Sequence, residues 1–103
     1  MSSYADVEMK ILQWGEARRI IPNAKTHTQL LKMFSEMGEL ADAEIKGDRD
    51  AMVDAVGDVM VCLIMFCSLH DLNIVSCMYS AYGEIKDRKG TLTPDGTFLK
   101  ETI

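Results

Sequence analysis

Apolar residues recur along this chain at intervals of three and four, the spacing of a buried stripe on a helix. Val7, Ile11 and Trp14 share one face with Arg18 and predict a first helix from about Tyr4 to Ile20. Ser3 can cap its start, with Asp6 as the third residue of a capping box. Pro22 stops it, because the residue before a proline avoids helical geometry. Leu30, Phe34, Met37 and Ala41, widened by Met33 and Leu40, predict a second helix that begins after Thr26. Thr26-His27-Thr28-Gln29 reads as its capping box, and Gly47 as its terminator. A third helix starts near Asp48 or Asp50, amphipathic at first and then apolar on every side from Val59 to Cys67. A fourth runs from about Asn73 to Lys89, with Gly90 in the C-cap position. In the tail, Pro94-Asp95-Gly96 signals a turn, flanked by Thr93 and Thr97-Phe98-Leu99, so a short hairpin or an irregular tail is expected. The pattern is all-α and four-helix bundle-like, with residues 1–103 as a single domain.

The run from Val59 to Cys67 changes this picture. A helix apolar all round is buried all round, and a chain of 103 residues has too thin a core to enclose it. A homo-oligomer, dimer or tetramer, is the expected remedy. The run is far short of the ~20 residues that span a bilayer, and Met1 to Asp6 has no basic stretch leading into an apolar one. No membrane association and a cytoplasmic location are therefore expected. The formal net charge of -5 argues against binding a nucleic acid polymer, which needs a basic face. Cys62, Cys67 and Cys77 form no C-x-x-C pair and, with His27 and His70, complete no zinc pattern.

Candidate chemistry lies in carboxylates. Glu36 and Glu39 are three apart on the second helix, about 60° apart on its wheel, and Glu36 borders the apolar stripe. Asp54 and Asp58 are four apart on the third, about 40° apart, and Asp58 immediately precedes the apolar run. Bringing these pairs together across a helix seam raises their mutual repulsion, which a divalent cation relieves. Carboxylate oxygens without histidine suit magnesium and disfavour iron or zinc. The same acids on a solvated face would have no such role. Lys86, Arg88 and Lys89 form a basic cluster that can hold phosphate or simply complement the helix dipole. Trp14 can stack on a base or anchor the core. Gln29 can read a base edge or cap its helix.

The segment Gln29-Leu30-Leu31-Lys32-Met33-Phe34-Ser35-Glu36-Met37-Gly38-Glu39-Leu40-Ala41, followed by Asp54-Ala55-Val56-Gly57-Asp58, resembles the MazG family of nucleotide pyrophosphohydrolases. That family's motif is E-E-x-x-E, a gap, then E-x-x-D. The run from Glu84 to Gly90, and the tail with Gly96 and Phe98, resemble small single-domain members, including those of phages. The resemblance implies a MazG-like helical fold, a homodimer or homotetramer, and residence in a bacterial or phage-infected host cytosol. It implies Mg2+-dependent hydrolysis, with Mn2+ as an alternative ion, of a (d)NTP to the (d)NMP and pyrophosphate. Glu36, Glu39 and Asp58 take the catalytic positions, and the metal set is these three with Asp54. Trp14, Gln29, Lys86, Arg88 and Lys89 are the substrate-binding candidates. Ser35 stands where the first Glu of the motif is usual, Ala55 where the Glu of E-x-x-D is usual, and Gly83 where relatives often carry Asn. These departures point to one alternative, a nucleotide-binding module with weakened catalysis; a second is a helical interaction protein without nucleotide chemistry, its acidic strips facing solvent.

Overall fold

A computed structural model describes residues 3–101. Among them, helices α1 (Tyr4–Ala17), α2 (Ile20–Asn23), α3 (Thr26–Lys46), α4 (Arg49–Leu69) and α5 (Ile74–Ile85) precede strands β1 (Gly90–Leu92) and β2 (Phe98–Lys100). The chain forms two compact units, residues 1–73 and 74–103.

The first unit is built on the α3–α4 hairpin. Gly47 closes α3 at φ 67°, a left-handed conformation that glycine adopts without a Cβ penalty, and its N–H donates back to Ala43 and Glu44. Asp48 then caps α4 by accepting from Ala51 N at 3.1 Å. So tight a turn lays α4 back along α3, with Ala43 and Ala55 buried and small. The helices α1 and α2 pack on α4. Gly15 of α1 lies against Met65, and a Cβ there would come within 2.6 Å of the Met65 Cε. Met65 is the largest fully buried side chain, 1% exposed.

Several boundaries differ from the sequence expectation. The capping box at Ser3 forms as expected, with Asp6 N donating to Ser3 Oγ at 3.2 Å. The first helix, however, stops at Ala17 rather than Ile20, because Arg19 takes φ 64° and turns the chain into the short α2, where the Ile21–Pro22 peptide is cis. No box forms at Thr26, which is already helical; Lys25 is the N-cap and gives no side-chain bond.

The run from Val59 to Cys67 is only partly enclosed. Cys62, Ile64, Met65 and Cys67 are buried, while Val59, Met60, Val61, Leu63 and Phe66 are half-buried. The apolar run alone is too short to cross a membrane, yet α4, which contains an 18-residue window of mean hydropathy 2.0, is long and apolar enough by length and composition. Its pairing with α3 and the aspartates Asp54 and Asp58 in its length read as the core helix of a bundle, since a carboxylate at mid-bilayer is costly.

In the second unit, α5 ends at Ile85, so Lys86, Arg88 and Lys89 follow the helix instead of completing it. Gly90 is the first residue of β1, facing Lys100, and not a helix cap. A side chain at Gly90 would collide with the Leu99 carbonyl and the Phe98 ring, which explains glycine there. The expected hairpin forms, with Gly96 at φ 91° and Thr93 N donating to Thr97 O at 2.8 Å. Asp95 accepts from the Thr93 hydroxyl and from Thr97 N, which holds its carboxyl below the usual carboxylate range.

Met65→Ala should lower unfolding free energy by about 2–5 kcal/mol, the cost of an internal cavity. Ile45→Ala, at a side chain 83% exposed, should change it by less than about 0.5 kcal/mol. Urea denaturation of the two variants measures the contrast.

Candidate active site

Helical spacing sets the site. Glu36 lies two turns before the buried Ala43 on α3, and Asp58 lies one turn after the buried Ala55 on α4. Both carboxylates are therefore carried into the seam between the helices. They line one cavity of about 190 Å3 together with Trp14 of α1, Gln29 and Lys32 of α3, and Cys62 of α4. Four of the residues singled out from sequence, Trp14, Gln29, Glu36 and Asp58, thus come together.

Glu36 Oε2 is sealed from solvent and makes no hydrogen bond within normal geometric limits. The Glu39 carboxyl, one turn further along α3, stands near enough to share a proton with Glu36. This contact raises the pKa of Glu36 above the ordinary carboxylate value; desolvation and repulsion from Glu39 and Asp58 add to it, while Lys32 opposes it. A neighbouring acid, a second one across the cavity and an orphaned oxygen make a place where a cation is favourable. Burial pushes the Cys62 thiol up, which leaves it a packing residue rather than a nucleophile.

Asp54 takes a different place. It lines an open groove of about 520 Å3 between α1 and α4, with Glu8, Asp58 and an apolar remainder. Asp58 and Val61 border both spaces. Among the described residues no three His, Cys, Asp or Glu side chains are grouped closely enough to hold a metal ion by themselves. The arrangement nonetheless fits magnesium or manganese, which can be held through one or two carboxylates, with water and substrate phosphate completing the shell. The donors are hard oxygens, and Oε2 of Glu36 lacks a partner. Ala55, at the position where the resemblance expects Glu, is buried.

Sequence reading missed Lys32, Lys10 and Glu8. The signal for Lys32 was its position four residues before Glu36, where a cation and an anion share a helix face. Glu8 belongs with Val7 and Ile11 of α1 and meets α4 only through tertiary packing. Lys86, Arg88 and Lys89 belong to the second unit.

No family model matches the chain. An 18.2 kDa protein from the rep-hol intergenic region of Haemophilus phage HP1 is 25% identical over 75 residues, 73% of this chain. That match spans about half of the phage protein, 46% of its length. Among solved structures, the cyanophage S-2L MazG-like pyrophosphohydrolase bound to dGDP and three catalytic Mn2+ ions per active site superposes with a TM-score of 0.69. It has 19% identity and covers 99% of this chain and 100% of that one.

The raised Glu36 pKa has a sign that can be tested. An acid whose folded pKa lies above its unfolded value binds more protons when folded, so stability falls as pH rises from the ordinary carboxylate value through the raised one. In metal-free protein, Glu36→Gln should raise Tm at pH 7, with the gain shrinking as pH falls toward the carboxylate range. A lowered Tm at pH 7 would contradict the crowding. With the hairpin of α3 and α4, the carboxylates in its seam and the full-length superposition in place, the architecture is settled: this chain has the MazG-like helical fold.

Proposed function

We propose that this protein is a divalent-metal-dependent nucleoside triphosphate pyrophosphohydrolase of the cytosol, converting a (d)NTP and water to the (d)NMP and pyrophosphate. The observation that carries this reading is the partnerless Glu36 Oε2 in a cavity shared with Asp58. The cyanophage neighbour's nucleotide and manganese supply the chemistry to be tested here. Magnesium or manganese, when bound, would neutralise charge on the phosphates and lower the pKa of an attacking water.

The chain's own residues have distinct tasks. Glu36 and Asp58, which share one cavity, would hold the cation. Glu39 is exposed, adjoins Glu36, and accepts the proton of the water that attacks the α-phosphorus. The bond from that phosphorus to the bridging oxygen breaks, and pyrophosphate leaves with the electron pair. Trp14 flanks the base, and Gln29 in the same cavity can hydrogen-bond its edge. Asp54, in the neighbouring groove, acts at most through water.

Copies of the chain would associate through α5, whose Val75, Met78, Tyr79, Tyr82 and Ile85 are exposed at helical spacing. A second reading, a nucleotide-binding module with weakened catalysis, draws on Ala55 and on the lack of a three-residue metal cluster among the described residues.

Incubation with a nucleotide panel and magnesium should release monophosphate and pyrophosphate in equal amounts. Glu36→Gln and Asp58→Asn should each lower kcat by at least about a hundredfold, the scale set by disturbing a metal shell. Magnesium-dependent nucleotide binding without pyrophosphate release would favour the binding module. Turnover indifferent to both substitutions would remove the metal role.

A further inference from the structure

A second cleft of about 380 Å3 adjoins the carboxylate cavity. It is lined by Lys10 and Trp14 of α1, Lys32 of α3 and Asp58 of α4, over an apolar floor that includes Ile11 and Val61. Its volume falls in the range of small-molecule sites. In a chain of formal net charge -5, two lysines facing one space from different helices are a local reversal of sign. Both side chains are exposed, and neither is engaged in a salt bridge among the described residues. The charge continues along α1, since Lys10, Trp14 and Arg18 are successive members of an i, i+4, i+8 row. The Arg18 guanidinium carbon lies 5.7 Å from the centre of the Trp14 ring. Cations therefore stand on both sides of the tryptophan along its helix, with Lys32 facing it from α3.

We infer that Lys10 and Lys32 form a binding site for the phosphoanhydride chain, in which the leaving pyrophosphate is held. This assignment rests on the proposed hydrolysis for its place in the reaction, but its geometry stands on the cleft alone. Ammonium groups bind phosphate as compact charges with three donors each. Asp58 borders both spaces, so an anion between the lysines would lie beside the residue that holds the cation. Trp14 borders both as well, which places a stacked base and a phosphate tail on one continuous surface. The basic run at Lys86, Arg88 and Lys89, to which sequence alone gave this role, is not needed for it.

The test is calorimetric titration of the full-length protein with inorganic pyrophosphate, without metal and at low salt, alongside nucleotide hydrolysis with magnesium. Wild-type protein should bind pyrophosphate. Lys10→Ala and Lys32→Ala should each weaken binding about tenfold, and the double variant about a hundredfold, as expected for lost charge-assisted contacts. Lys32→Arg should retain most of the affinity, and thermal melts should show all variants folded. Wild-type affinity in the double variant, or no pyrophosphate binding by the wild type, overturns the cleft. The two readings separate cleanly. Hydrolysis that requires Glu36 but ignores both lysines sinks only the cleft. Lysine-dependent pyrophosphate binding in a protein that hydrolyses nothing sinks only the enzyme.

Discussion

The α3–α4 seam, which carries Glu36 and Asp58 into one cavity, is the constraint on which the rest of this molecule turns. Glu36 shares a stripe with Ala43, and Asp58 shares one with Ala55, Cys62 and Met65. The packing that buries those small and apolar residues carries the acids inward with them. Gly47 and Asp48 make the turn tight enough to enforce it. Burial of the apolar stripes supplies the favourable term; crowding Glu39 and Asp58 around Glu36 is the unfavourable one. A divalent cation, as proposed for this site, would relieve that conflict.

Much of this was legible in the amino-acid sequence because it is local. Three- and four-residue apolar spacing places all the long helices, Ser3 and Asp48 mark two helix starts, and Gly47 marks an end. The pairing of Glu36 with Asp58 follows from their places beside the stripes. What was not legible is what depends on a backbone choice or on distant packing. Arg19 enters the left-handed region with no glycine to announce it, so the first helix ends early. Thr26 has the chemistry of a cap but lies one residue inside the helix. Gly90 looks like a helix terminator and instead makes room for Phe98 across the hairpin. Lys10 and Lys32 are surface lysines in any one-dimensional reading, and only the packing of α1 beside α3 and α4 gives them a common space.

The two sides of Asp58 define the division of labour in the first unit. On one side Asp58 shares a cavity with Glu36, on the other a cleft with Lys10, and Lys32 borders both. A metal-bound phosphate chain is a ligand whose charges alternate in the same way. Asp54 and Glu8 stand apart in the open groove on α1 and α4, so the four-carboxylate set suggested by spacing separates into an inner group and an outer one.

The most direct test of the central claim is the number of protons released when Mn2+ binds, measured by calorimetry of the full-length chain in two buffers of different ionisation enthalpy. The measurement is made between the usual carboxylate range and neutrality. Because its surroundings raise the pKa of Glu36 and a ligating carboxylate is deprotonated, metal uptake should be accompanied by proton release, and Glu36→Gln should abolish both. Manganese binding with no proton release, or binding unaffected by the substitution, would contradict the account.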